Sequence, residues 1–212
     1  MTNFIPLFPL SIVVFPGEEL NLHIFEPRYK QLVNDCYSNK KPFGIPAVIN
    51  SVVMEYGTLV EVLEIVKVYP NGEMDIKTKG SLIFKMLEKI EELPGKLYHG
   101  AIVTYPPTKY SGSQMIMQKI LQKVRQLHTL LKVTKSFTST DNNLLSFDIA
   151  HHAGMALEEE YQLLETEQEL HRQELIHRHL IKVLAVLSQM DLLKDKIKLN
   201  GHFKNLEGFK FN

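Results

Sequence analysis

His23, Phe25, Glu26, Arg28 and Tyr29 bring an imidazole, a carboxylate, a guanidinium and two aromatic rings into seven consecutive residues. Such a set can hold a ligand: Arg28 can grasp a carboxylate in a forked pair, and Tyr29 can offer a stacking face. The same residues can instead fasten a corner, Glu26 pairing with Arg28 above a packed Tyr29. That second use outweighs the first, because a change from strand to helix needs fastening. Phe4, Phe8, Phe15 and Phe43 pose a similar choice between an exposed apolar groove for extended peptides and plain core. Phe8 and Phe15 read as core. Phe4 is evenly balanced, and Phe43 stays with it as a binding candidate.

Other chemistry finds little support. His151 and His152 are adjacent, and His177 and His179 are two apart, so a helix would point each pair in different directions. No His-Glu-x-x-His or Cys-x-x-Cys spacing closes a zinc site, so no metal and no cofactor is expected. A solvated charge ladder accounts for Glu167, His171 and Glu174 at less cost. Cys36 sits on the apolar side of a predicted helix, whereas a nucleophilic thiol wants an electropositive, open setting. No catalytic residue is assigned.

The composition narrows the function further. Twenty-four basic side chains balance 24 acidic ones, so the formal charge is zero and no global field draws in nucleic acid or an anionic membrane. A single cysteine excludes an internal disulfide and fits a reducing compartment. Pro6, Pro9 and Pro16 interrupt the N-terminal apolar stretch, so no signal peptide is read there. No run is apolar for long enough to span a bilayer. A cytoplasmic protein is the expectation.

The elements that must position these residues change character along the chain. Leu7 to Phe15 reads as a first strand, and Leu20 to Ile24 alternates with the period of a half-buried one. Pro27 suits the first position of a helix. Tyr29, Leu32, Val33, Cys36 and Tyr37 then fall on one of its faces. Phe43 to Ile49, Thr58 to Tyr69, Met74 to Lys79, Leu82 to Leu87 and His99 to Tyr105 read as further strands, with Asn71-Gly72 as a hairpin turn. Six or so strands around one helix suggest a small closed or nearly closed barrel. After Pro106-Pro107 the pattern turns helical. Ile116, Ile120, Val124, Leu127 and Leu131 mark one helix, and Thr134 to Asn143 is a polar loop. Ser146 is a candidate cap of a short helix ending at Gly154, and Leu157, Tyr161 and Leu164 mark another. Thr166 to Glu169 reads as a capping box. It opens a long helix that buries Leu170, Leu180, Val183, Leu184, Leu187 and Met190. Phe203, Leu206, Phe209 and Phe211 suggest a docked tail.

The ordered blocks Pro6 to Leu10, Val14 to Gly17, Leu22 to Tyr29, Phe43 to Ile45 and Gly57 to Val62 resemble the substrate-binding N-terminal domain of Lon proteases. Phe25-Glu26-Pro27-Arg28-Tyr29 is the most specific of them, and the helical half is similar more loosely. The resemblance implies an α+β fold, with a PUA-like β-barrel and one inserted helix over residues 1–107. A C-terminal α-helical bundle follows over 108–212. It also implies engagement of unfolded or extended polypeptides on behalf of an ATPase and a peptidase. The sequence holds no Gly-x-x-x-x-Gly-Lys-Ser/Thr phosphate loop and none of the peptidase's serine and lysine motifs. The expectation is therefore a stand-alone, non-catalytic binding module, with service to a protease or chaperone as adaptor among its expected roles. RNA binding is the alternative, because PUA-like barrels often serve RNA enzymes; overall neutrality weakens it. A small-molecule site in an appended domain, held by cysteines and aromatic cages, is disfavoured by one cysteine and no tryptophan.

Overall fold

The fold is known from a computed structural model, which describes residues 3–134 and 143–202. Strands β1 (Asn3–Pro6) and β2 (Glu19–Ile24) precede helix α1 (Pro27–Asn39). Strands β3 (Phe43–Ile49), β4 (Val52–Val68), β5 (Met74–Ile90) and β6 (Gly100–Thr104) follow. Helices α2 (Gln114–Leu131), α3 (Ser146–Ala150), α4 (Leu157–Glu165) and α5 (Glu169–His202) complete the order.

The strands form one antiparallel sheet in the order β1-β6-β5-β4-β3, with β2 added to β5. The expected closed barrel is not formed. What links the outer edges is a short run in which Leu7 and Leu10 bridge in parallel to Gly44 and Ala47. Phe8 N–H donates to the Gly44 carbonyl at 2.8 Å and Leu10 N–H to the Pro46 carbonyl at 3.2 Å. Leu7 to Phe15 is accordingly not a regular strand. Pro9 within it cannot donate to a ladder, and pairing is confined to isolated bridges.

One hairpin dominates the sheet. β4 and β5 are each 17 residues long, so the segments read from the sequence as separate strands are continuous. The turn that feeds β4 is tight: Asn50 and Ser51 both have positive φ, 49° and 65°, the conformation that a two-residue hairpin loop requires. Gly57, in β4, permits close packing, since a Cβ there would fall 2.6 Å from Phe84 Cζ and from Pro46 Cα.

α1 lies over one part of this sheet. Pro27 opens it, and Tyr29, Leu32, Val33 and Cys36 recur at helical spacing on its buried face. Each fully buried Leu or Val contributes roughly 1.5–3 kcal/mol. Tyr37 was expected on that face but is 44% exposed, because it lies one residue round from Cys36. The helix stops at Lys40, whose φ of 50° is left-handed, with the Lys41 N–H closing back on the Cys36 carbonyl.

The remaining helices pack on the sheet through a continuous core. Phe15, Ala47, Ile49 and Ile83 from the β region join Ile120, Val124, Phe147, Tyr161, Leu164, Ile176 and Leu180 in one buried cluster. Backbone hydrogen bonding crosses the same junction, where Tyr56 N–H donates to the Tyr161 hydroxyl at 3.1 Å.

Two helix-end expectations are corrected. Leu145, not Ser146, occupies the cap position of α3, and Ser146 is buried with its hydroxyl given to Glu169. Glu169 does not cap α5; its carboxylate is consumed in the core. Along α5, Leu170 and Met190 are exposed, while Leu180 and Leu184 are buried. The tail phenylalanines and most of the Thr134 to Asn143 loop lie outside the described residues. Among the described residues, no helix is long and apolar enough to cross a membrane.

Candidate functional site

The strand-to-helix corner carries most of the residues singled out from the sequence. β2 pairs with the start of β5 so that His23 stands directly opposite Asp75. Their side chains meet, His23 Nδ1 to Asp75 Oδ1 at 2.7 Å, and the second ring nitrogen lies 3.4 Å from Glu73. Tyr69, from the hairpin end, donates its hydroxyl to the other Asp75 oxygen at 2.7 Å. The Lys67 ammonium sits 4.3 Å above the Tyr69 ring. Phe25 stacks against His23 at 6.3 Å and is 58% exposed. An aromatic row of Phe25, His23 and Tyr69 therefore runs from β2 across the hairpin end toward β4.

The electrostatics follow from these bonds. The hydrogen bond to Asp75 raises the His23 pKa above its ordinary value, with Glu73 adding to it. The same bond, together with that from Tyr69, holds the Asp75 carboxyl below the usual range. A histidine bonded to an aspartate resembles half of a nucleophile-activating pair. Here its free nitrogen faces a carboxylate where catalysis would need a hydroxyl or thiol, so the imidazole bridges two acids.

Glu26 and Arg28 pair with each other at the surface of the corner. Arg28 Nε donates to Glu26 Oε2 at 2.9 Å and Nη2 reaches the same oxygen at 2.7 Å. The guanidinium lies 4.7 Å over the Tyr29 ring, which is buried against Phe8 with centroids 4.1 Å apart. Tyr29 thus offers no face to a ligand. Lys30 ties the helix to the hairpin end by donating to the Asn71 carbonyl at 3.1 Å.

The other candidates lie apart from this corner. Phe43 is wholly buried, packed 6.0 Å from Phe8, and belongs to the core, not to a surface groove. Phe4 is half exposed on β1, in a cleft of about 450 Å³ shared with Asp35, Lys96, Tyr98 and Tyr105. Cys36 is buried, and burial with the Asp35 charge beside it pushes its thiol up to about 12. Among the described residues, no group of three or more histidine, cysteine, aspartate or glutamate side chains could hold a metal.

Two polar clusters escaped the sequence reading. Arg172 is fully buried and all five of its N–H groups are used. They go to the Thr166, Glu167 and Lys109 carbonyls, the Ser146 hydroxyl and the Glu169 carboxylate. His151, after α3, touches Glu160 of α4 at 2.8 Å and Glu18 of the β2 approach at 3.3 Å. Burial works against its charge, but hydrogen bonds to Glu160 and Glu18 more than offset this and raise its pKa to about 9. Asp75 was legible in principle, since the Asn71-Gly72 turn places it on a paired arm. No local pattern points to the partners of Arg172 or His151.

Comparison with known proteins gives the fold a context. The family model described as "ATP-dependent protease La (LON) substrate-binding domain" matches residues 5–182. A solved structure of a Lon N-terminal domain protein from Xanthomonas campestris superposes with a TM-score of 0.60 at 22% identity. The match covers 86% of this chain and 98% of that one. The N-terminal domain of Mycobacterium avium complex Lon protease gives a TM-score of 0.63 at 13% identity, over 84% of this chain and 98% of that one.

Proposed function

Because this chain belongs to the substrate-binding domain family of ATP-dependent protease La (Lon), we propose that it is a non-catalytic module that binds extended or unfolded polypeptides. On this reading its β region is a PUA-like module. It presents clients to a protease or chaperone as an adaptor. The observation that carries the reading is the family match over residues 5–182.

The surface is compatible with it. Phe25 projects from the corner with His23 and Tyr69 beside it, and Leu63, Val66 and Val68 of β4 are each about half exposed. Apolar side chains rimmed by charge suit an unfolded client, whose own apolar residues are uncovered. Of the residues nominated from sequence, His23, Phe25, Glu26, Arg28 and Phe4 reach the surface and can serve.

Fluorescence anisotropy with fluorescein-labelled, reduced and carboxymethylated α-lactalbumin tests the proposal, with the native, disulfide-bonded form as control. The unfolded probe should bind and the native one should not. Phe25→Ala should weaken binding roughly tenfold, the share expected of a single exposed aromatic anchor. Equal or absent binding of both probes would sink the proposal.

A further inference from the structure

β4 is served unequally along its length. β3 pairs with it only as far as Val60, opposite Phe43, whereas β5 accompanies it to Val68, opposite Met74. From Glu61 to Val68 the strand has a neighbour on one side, and among the described residues no strand lies on the other. Backbone N–H and C=O groups along such an edge point outward in alternation and can be met by water or by another extended backbone.

α1 turns this edge into a groove. Val62 and Ile65 pack under the helix, in the cluster of Leu32, Val33 and Cys36. Next to them a cleft of about 430 Å³ opens between Tyr37, Lys40 and Lys41 at the helix end and Glu61, Val62 and Leu63 on the strand. Two lysines against one glutamate leave its wall with one net positive charge. Strand addition between a helix and a sheet edge is an established mode of peptide capture, in which main-chain bonds supply affinity and side-chain pockets supply selection.

The bulges in this stretch decide what the groove can take. Register shifts between Val62 and Glu64, and between Ile65 and Lys67, leave Leu63 and Val66 outside the ladder with β5. Both are about half exposed. Two bulges so close together twist the edge and oppose a rigid flat strand, which is how proteins discourage edge-to-edge pairing of copies. A second molecule would bring the same bulges and its own α1 against this one. A flexible extended segment can follow the twist.

We propose that residues Glu61–Val68 and the groove against α1 capture an extended polypeptide segment by strand addition. An apolar side chain of that segment seats between Tyr37 and Leu63, and an acidic residue beside it faces Lys40 and Lys41. This assignment rests on the polypeptide-binding reading above and names where the client sits.

Amide hydrogen exchange of the full chain, with and without the unfolded, acidic carboxymethylated α-lactalbumin, tests it directly. Exchange over 61–68 should slow on adding the probe, while that of β6 stays unchanged. Leu63→Pro and Val66→Pro place proline at bulged positions of this strand, where it is tolerated, and each removes a backbone N–H from the segment. Each should weaken probe binding roughly tenfold or more. Leu82→Ala, a similarly exposed change on β5, should leave binding unaltered. Should a proline variant misfold, the exchange measurement on the unsubstituted protein decides alone. Probe binding without protection at 61–68 would overturn this inference and spare the general reading; no probe binding at all would end both. Protection at 61–68 that grows with protein concentration in the absence of probe would assign the edge to a second copy, and would equally overturn it.

Discussion

Arg172 and Glu169 form an ion pair, Nη2 to Oε2 at 2.8 Å, in which neither side chain reaches solvent. The Glu169 carboxylate also accepts from the Ser146 N–H at 2.8 Å, the Ser146 hydroxyl at 2.6 Å and the Gln173 amide at 3.1 Å. The pair thereby joins the segment leading into α2, the start of α3 and the turn between α4 and α5. A buried charge is tolerable only when its partner and its hydrogen bonds are complete, as they are here.

Removing one partner should therefore be severe. Arg172→Leu leaves the Glu169 carboxylate buried without its cation and should cost about 3–5 kcal/mol, read from the shift in the urea midpoint. The double variant Arg172→Leu/Glu169→Leu eliminates both charges and should be the more stable of the two. The reverse order would show that the pair is not the source of the penalty.

His151 makes the packing of the helices on the sheet depend on pH. Its folded pKa of about 9 lies above the ordinary histidine value. The stabilisation is therefore fully present below about pH 6.5 and is lost as the pH rises through about 9. The side chain is 36% exposed, and solvent screening reduces the contribution to roughly 1 kcal/mol. Thermal melts at pH 6 and pH 9.5 should differ more for the natural chain than for His151→Ala. Parallel pH profiles for the two would refute the role.

Cys36 should be chemically silent in the folded state. A thiol with a pKa pushed to about 12 and almost no exposure holds little thiolate at neutral pH. Ellman's reagent should react at the rate at which the molecule opens, and promptly in denaturant. Fast reaction with the native protein would contradict the burial of α1 on the sheet.

Gly57 should not accept even a methyl group. A Cβ there would meet Phe84 and the β3 backbone at Pro46, and the backbone cannot move aside cheaply. Gly57→Ala should cost about 1–3 kcal/mol, with a matching fall in melting temperature. An unchanged melting temperature would mean that β3 and β4 are less closely apposed.

Much of the fold was legible from periodicity. Pro27 and the spacing of Leu32, Val33 and Cys36 gave α1, and the face marked by Ile120, Val124 and Leu127 gave α2. Strand lengths were harder, because a run such as Val52 to Val68 mixes both alternations once bulges at Leu63 and Val66 change the register. At the candidate site the residue types were visible, but their division of labour was not. Glu26 and Arg28 pair with each other, Tyr29 and Phe43 are core, and His23 meets Asp75 and Tyr69 from 46 to 52 positions downstream. Such partners are set by strand register, which short windows of sequence do not encode.

The pairing of Asn3 with Val103 has a temporal consequence. Translation proceeds at roughly 5–20 residues per second, so about 5–20 s separate the making of these two residues on a ribosome. For that interval the first strand of the nascent chain waits without its neighbour, and the border of β5 that β6 later covers stays open. A holding chaperone, or a slow codon run anywhere between these two residues, would act on this interval.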